Sequence, residues 1–393
     1  MDWQRFQFDY RLRLDDQRSE LIRIEAYREA ALNLVLPPDW REQLDQLNRV
    51  RAVHGTTALE GNPLSEAAVR EQIGPVALSS AQLPSHSREE QQVRNASMAQ
   101  DWVRQRFTPE SRQLQYSDIM HMHATLTRGS DEIDNVPGQL RHHSVVVGTE
   151  ALGGVHRGAP PEELPRLMEA FVTFMNSQRV AAEHPVVRAL LAHFFLITIH
   201  PFGDGNGRVS RLVEAGILFQ GGYNVLGFYG LSNYFYRNGN EYKYLLQQSR
   251  QLLPFDLTAF IAFGLRGFAS ELKGINNFIK TKLNRIVYRN TLVNAFNQRA
   301  GKRRRVINQR EYGLLTFLLQ ETEPVDPFGE EPSKKIKLDD LLQAPYITTV
   351  YRNVTRRTFH RELLRLAEMG FIKAVGRRDD ITVELDFAAI GKY

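Results

Sequence analysis

The chain has 393 residues, 42% hydrophobic and 24% charged, with no cysteine and a formal net charge of +5. That length builds two or three domains with real cores, and the slight basic excess suits an anionic ligand or nucleic acid without demanding either. Without cysteine, disulfides, thiolate zinc sites and cysteine nucleophiles are excluded. Met1–Glu20 lacks the apolar run of a secretory signal, and no uncharged apolar stretch approaches the roughly 20 residues that span a bilayer. A cytoplasmic protein with no membrane contact is expected.

Ile22, Ile24, Ala26 and Leu32 hint at a first helix. Pro37, Pro38 and Asp39 announce the start of the next, with Trp40, Leu44 and Leu47 on one stripe and Gly61, Asn62 and Pro63 as its stop. A helix is expected from about Ser65 to Ile73, then a Ser/Gln/Pro-rich loop over Leu78–Ser87. Helices follow over about Arg88–Phe107 and Ser117–Leu126. Between Pro137 and Pro161 the pattern changes. Ser144–Val147 reads as strand, Gly148–Gly154 can turn, and Val155 and His156 can pair back, making a short hairpin.

Pro161–Asn176 is a helix with Leu164, Leu167, Met168, Phe171 and Phe174 on its apolar face. Pro185–Ile199 is apolar almost all round, as in a central buried helix. A glycine-rich turn leads into a helix over Arg208–Phe219, and further helices run to about Arg299. Lys302–Arg305 marks a boundary. Beyond it lie helices over Gln309–Leu319, near Leu338–Leu342 and over Thr355–Met369. Two strands follow, Phe371–Val375 and Ile381–Leu385, around the turn Gly376–Asp380. That order is the order of a winged helix-turn-helix. The expected domains are therefore 1–110, 111–300 and 301–393.

The chemistry concentrates in His200-Pro201-Phe202-Gly203-Asp204-Gly205-Asn206-Gly207-Arg208 and the nearby Arg211. Pro201 stops the buried helix, leaving His200 at its end. Gly203, Gly205 and Gly207 permit positive φ, and Gly205-Asn206-Gly207 can aim successive N–H groups at one spot, at the start of a helix. That is an anion site. Arg208 and Arg211 lie three apart on one helical face, and paired guanidiniums beside such a nest suit a polyphosphate. Asp204 is a hard oxygen ligand of the kind Mg²⁺ accepts, with phosphates and water completing the shell. His200, neutral near pH 7, can take a proton from a nucleophile. Neither a phosphate loop of the GxxxxGK type nor a kinase motif set occurs.

This string resembles the Fic-family signature H-x-F-x-(D/E)-G-N-G-R-x-x-R at every specified position, and the similarity extends over about residues 40–300. The resemblance implies a mainly α fold, a Fic-type helical bundle with a small β-hairpin flap, followed here by the winged-helix module. It implies a protein adenylyltransferase that moves AMP from Mg-ATP to a Ser, Thr or Tyr hydroxyl of a protein target, itself included. His200 would be the general base and Phe202 the loop anchor. Asp204 would hold Mg²⁺, and Gly205, Asn206 and Gly207 would cradle the α-phosphate. Arg208 would grip the β-phosphate and Arg211 the γ-phosphate. The choice of the α-phosphate for attack comes from the resemblance and not from the residues.

On their own, Thr56 and Glu60 read as a capping threonine and a solvated glutamate. Beside the motif, Thr56-x-x-x-Glu60-Gly61 resembles the family's N-terminal inhibitory motif, which implies that Glu60 pairs with Arg211 and holds ATP in a non-productive pose. The hairpin Arg141–Arg157 resembles the flap that aligns a target segment. Asn238 and Tyr242, four apart and so on one face, resemble the lining of the adenine pocket, although aromatic residues at that spacing also serve as core. His121 and His123, two apart on a helix, point away from each other, His193 reads as a core residue, and no zinc pattern is present. In the C-terminal module, Thr355–Arg361 opens a candidate recognition helix and Arg377-Arg378 sits at the candidate wing tip. A winged helix also serves protein or dimer contacts, so nucleic-acid binding and a homodimer both stay open. The alternatives are AMP removal, transfer of another nucleotide, and a DNA-binding regulator with a ligand-sensing Fic-like body.

Overall fold

A computed structural model describes the chain except for residues 35, 75–86, 112, 130–132, 225–226, 228–229, 252, 300–304, 325–334 and 377–380. It divides into two compact units, Met1–Lys273 and Gly274–Tyr393. The Leu78–Ser87 loop (apart from Ser87), most of the basic tract at Lys302 and the Arg377-Arg378 pair lie outside the described residues.

In the first unit the helices are α1 (Arg18–Leu32), α2 (Pro38–Ala58), α3 (Glu66–Ile73), α4 (Arg88–Arg106), α5 (Tyr116–Leu126), α6 (Leu164–Met175), α7 (Gln178–Ala181), α8 (Pro185–Ile199), α9 (Asn206–Gln220), α10 (Ser232–Arg237) and α11 (Gly239–Ser249). α12 (Thr258–Asn297) contributes its first part to this unit and the rest to the second. Two short strands, β1 (Tyr10–Arg11) and β4 (Phe255–Asp256), pair in parallel, which nothing in the local pattern announced. The expected hairpin forms from β2 (Val146–Thr149) and β3 (Gly154–Arg157), two residues later than the apolar run suggested.

Local chemistry explains most boundaries. Pro38 and Pro185 occupy first-turn positions of α2 and α8, where the missing N–H costs nothing. Ser87 and Glu90 form a reciprocal capping box at the start of α4. α8 is buried along nearly all its length. Phe194 and Phe195 pack there with Phe255, Phe174 and Phe8, and each fully buried ring contributes about 1.5–3 kcal/mol. α9 packs on α8 and also meets α2, α4 and α5. α2 approaches α10 so closely that a Cβ on Gly55 would lie 2.8 Å from the Asn233 backbone. This contact brings the C-terminal end of α2, with Thr56 and Glu60, to the first turn of α9.

The second unit holds α13 (Gln309–Glu321), β5 (Lys335–Lys337), α14 (Leu338–Gln343), α15 (Pro345–Val350), α16 (Arg356–Glu368), β6 (Ile372–Val375) and β7 (Thr382–Leu385). Its antiparallel sheet has the order β5-β7-β6. Tyr288, Leu314, Leu318, Phe359, Leu366 and Val383 belong to its core. α16 turns Phe359, Leu363 and Leu366 inward and leaves Arg356, Arg357 and Arg361 exposed.

Candidate active site

His200 caps α8 in the left-handed conformation, φ 56°, and it is the one residue other than glycine with positive φ among those described. Such a conformation in a bulky residue persists only where the surroundings impose it. Here the buried Arg141 imposes it. Its Nε donates to the His200 carbonyl at 2.8 Å, and its terminal nitrogens donate to the carbonyls of His143 and Ala159. The Arg141 N–H also donates to the Pro201 carbonyl. The His200 ring places Nδ1 3.3 Å from the Ile197 carbonyl. A proton on Nδ1 donates there, which leaves Nε2 as the acceptor. Burial lowers the His200 pKa to about 4, offset in part by the Ile197 carbonyl, with the Arg250 and Arg141 cations adding to the lowering. His200 is therefore a neutral base over the physiological range.

The following loop is braced from inside. Asn206 accepts the Phe202 N–H at 2.9 Å and donates to the Phe202 carbonyl at 2.8 Å, a reciprocal clamp across the turn. Phe202 is fully buried and stacks on His123, ring centroids 3.8 Å apart. His123 Nδ1 accepts the Gly138 N–H, so Nε2 carries the proton and faces the Asn135 side-chain oxygen and the Asp204 carbonyl. Burial holds His123 neutral, its pKa lowered to about 4. Asn135 also accepts the Asp204 N–H. Asp204 accepts its own Gly205 N–H at 2.6 Å and pairs with Arg208 at 2.7 Å. Burial works to raise this carboxyl, but Arg208 and the Gly205 N–H hold it below its ordinary value.

α9 begins at Asn206 after Gly205 (φ 79°), and no side chain caps it. Its first-turn N–H groups are the orphan donors that attract anions. The buried Arg211 stands beside them. Its Nε donates to the Thr56 hydroxyl at 2.8 Å, and one terminal nitrogen reaches the Thr56 carbonyl at 3.0 Å and Glu60 at 2.6 Å. A Cβ on Gly207 would lie 2.1 Å from Glu60 Oε1, so glycine there is what lets the carboxylate settle over the helix start. The Glu60 side chain is 39% exposed. Partial burial works to raise its pKa, and Arg211 beside it, with Arg208 beyond, brings it below the ordinary value. Gly61, φ 90°, completes the turn that presents Glu60.

A cleft of about 390 Å³ unites these groups. His200, Gly203 to Gly207, Arg211 and Glu60 line one side, the hairpin another, and Tyr242, Lys243, Gln247 and Arg250 of α11 and the residue after it a third. Tyr242 lies in the cleft wall. Its hydroxyl meets His193 Nε2 at 2.8 Å, and His193 Nδ1 meets the buried Glu214 at 2.6 Å. Asn238 is not part of that wall, and its amide donates to the Tyr234 carbonyl. Arg208 also points elsewhere. Asp204, four residues earlier, draws its guanidinium to the α4–α5 side, where it lines a second cavity instead. The two arginines of the motif therefore diverge.

Gln247 donates to the Gly154 carbonyl at 2.7 Å, which ties the hairpin to α11, and His156 reaches the Thr198 carbonyl from β3. Arg141, His123, Asn135, Gln247 and Arg250 all hold the site, and the sequence did not single them out for it. Their signals are scattered single residues whose partners lie far along the chain. Among the described residues no cluster of three or more His, Asp or Glu could cage a metal. One half-exposed carboxylate, Asp204, facing a phosphate-sized cleft fits an ion held chiefly by phosphates and water, as Mg²⁺ is.

The profile of the Fic/DOC family matches residues 113–218. The chain is 30% identical over 172 residues to the protein adenylyltransferase Fic of Drosophila ananassae, 44% of this chain and 32% of that protein. It is 41% identical over 106 residues to the protein of the same name from Drosophila virilis, 27% of this chain and 20% of that one. The matched stretch thus spans a third or less of these curated relatives. In fold, the chain is similar to Fic-1 (residues 134–508) of C. elegans, with TM-score 0.55 and 23% identity over 68% of this chain and 74% of that one. It is similar also to a Fic family protein from Desulfovibrio desulfuricans G20, with TM-score 0.52 and 19% identity over 93% and 95%. The Fic/DOC profile match takes in the whole of the motif loop, and over part of its length the chain is similar to protein adenylyltransferases.

Proposed function

We propose that this protein transfers AMP from Mg-ATP to a Ser, Thr or Tyr hydroxyl of a protein, itself among the targets, and that Glu60 restrains the reaction. The observation that carries this reading is a convergence. A neutral histidine with Nε2 as acceptor, an uncapped helix N-terminus and a buried arginine all line one cleft. In the reaction the hydroxyl oxygen attacks the α-phosphorus and its proton passes to His200 Nε2. The bond from the α-phosphorus to the bridging oxygen breaks, and pyrophosphate leaves with the electron pair. The orphan N–H groups of α9 stabilise the charge that develops on the α-phosphate. Asp204 would hold Mg²⁺, whose contribution is to neutralise phosphate charge.

The Arg211–Glu60 contact supports the restraint, because it occupies the guanidinium that a γ-phosphate needs. Glu60 in the same cleft as His200 also suits orientation of a water, so AMP removal is the second reading. The order of helices and strands after Gln309 supports a winged helix, with Arg356, Arg357 and Arg361 on the outer face of α16 as candidate phosphate contacts. The test uses ATP labelled at the α-phosphate. Label should enter protein in the Glu60→Gly chain and vanish when His200→Ala is added. Label that persists without His200 overturns the reading.

A further inference from the structure

Among the described residues, each carboxylate that lines the cleft already has a cation: Glu60 pairs with Arg211, and Asp204 with Arg208. The wall formed by α11 carries two cations that no described carboxylate pairs with, Lys243 and Arg250. With Gln247 they stand at i, i+4 and i+7, one face of α11 and of the residue that caps it. Lys243 is exposed and Arg250 is half-buried. The Arg250 guanidinium donates to the Thr198 hydroxyl at 3.0 Å, to Gln247 Oε1 at 2.8 Å and to the Ile197 carbonyl at 3.4 Å. All three acceptors are neutral, and three bonds leave two of its five N–H donors for a ligand. Burial lowers its pKa to about 10, so the charge persists near neutral pH. A desolvated cation without a counter-charge is costly, and an arriving anion offsets that cost.

The Ile197 carbonyl also receives the His200 Nδ1 proton, and Gln247 donates to the Gly154 carbonyl of the hairpin. Arg250 thus links the base to the hairpin, on the side where a hydroxyl must enter to reach His200. Phosphates have a different wall, the uncapped start of α9 with Arg211. We propose that the protein segment received in this cleft is acidic, with a carboxylate close in sequence to the receiving hydroxyl docking on Arg250. The inference rests on the function proposed above and names its substrate class. The carboxylate takes the two spare N–H donors as a charge-assisted pair, and Lys243 extends the positive wall. A basic segment would meet like charge there and be rejected.

The test uses two fluorescein-labelled peptides with a single serine, flanked by glutamates in one and by glutamines in the other. Their binding to the full Glu60→Gly chain is read by fluorescence anisotropy. The acidic peptide should bind about tenfold tighter. The net charge of +5 gives any acidic peptide some advantage, so the Arg250 variants decide. Arg250→Gln should cut the preference to about twofold or less. Arg250→Lys keeps the charge but not the fork that braces Gln247 and Ile197, and it should retain most of the preference. Equal binding of the two peptides, binding of neither, or an undiminished preference in Arg250→Gln overturns the proposal. So does a loss as large in Arg250→Lys as in Arg250→Gln, since the arginine then only braces the hairpin. Weakened ATP binding in Arg250→Gln with the peptide preference intact assigns the anion to the nucleotide and overturns it too. Label transfer from ATP by Glu60→Gly, measured alongside, separates the two ideas. Transfer without an Arg250-dependent preference overturns the acidic-segment site alone. An Arg250-dependent preference without any transfer keeps that site and overturns the enzymatic reading.

Discussion

Replacing Glu60 with glycine removes the carboxylate that Arg211 holds at 2.6 Å, while leaving the two Thr56 contacts that keep the guanidinium in place. A charge-assisted hydrogen bond contributes about 1.5–3 kcal/mol. Because the glutamate is 39% exposed, solvent screening brings this pair to about 1–2 kcal/mol. A γ-phosphate brought to the same guanidinium would also meet the glutamate's charge. At about 4 Å that repulsion is about 4 kcal/mol for an effective dielectric near 20, and partial exposure roughly halves it. The two effects sum to about 3 kcal/mol, on the order of a hundredfold in rate. Initial rates of label incorporation from ATP labelled at the α-phosphate measure it. Glu60→Gln, which keeps the volume and removes the charge, should fall between wild type and Glu60→Gly. A Glu60→Gly rate within about twofold of wild type would falsify the restraint, however close the crossing pair stands.

The remaining predictions follow from the braces. With His200 lowered to about 4, transfer by Glu60→Gly should stay level from about pH 8 to about pH 5 and fall with a midpoint near 4. A midpoint near the ordinary histidine value of about 6.5 contradicts the burial of the base. His123, His156 and His200 all have lowered values, about 4, 3 and 4. The unfolded chain therefore binds more protons below about 6.5. Stability should be insensitive to these groups above that pH and decline as pH falls from about 6.5 toward 4, read from urea midpoints. Arg141→Lys, in the Glu60→Gly background, removes the fork that fixes the His200 carbonyl. It should lower kcat about 10–100-fold with little change in KM for ATP, since Arg141 is outside the cleft wall. A KM effect with kcat intact counts against its positioning role. His123→Leu keeps an apolar neighbour for Phe202 but strands the Gly138 N–H and the Asp204 carbonyl and removes one of two donors to the Asn135 oxygen. It should cost about 2–3 kcal/mol in chemical denaturation, and a variant as stable as wild type shows the brace to be dispensable.

Much of the architecture was legible in the residues. α8 matched its apolar run from Pro185 to Ile199, and α2 began at Pro38 and ended before Gly61, because proline and glycine act through their own backbone dihedrals. The hairpin was legible as a type but shifted by two residues, since an apolar run does not set the pairing register by itself. β1 against β4, and β5 in the second sheet, escaped notice because strands of two or three residues carry no periodicity to read.

The motif His200–Arg211 marked the candidate site by sequence alone, since its residue types at adjacent positions fall within one turn and one helix start whatever surrounds them. Which way each side chain points was decided elsewhere. Arg208 turned to Asp204 and away from the cleft, Asn238 turned to the Tyr234 carbonyl, and His123 became the support for Phe202. The Glu60–Arg211 pair joins residues 151 positions apart. Such contacts depend on how closely α2 approaches α9 and α10, and packing of whole helices sets that approach, not the order of neighbours along the chain.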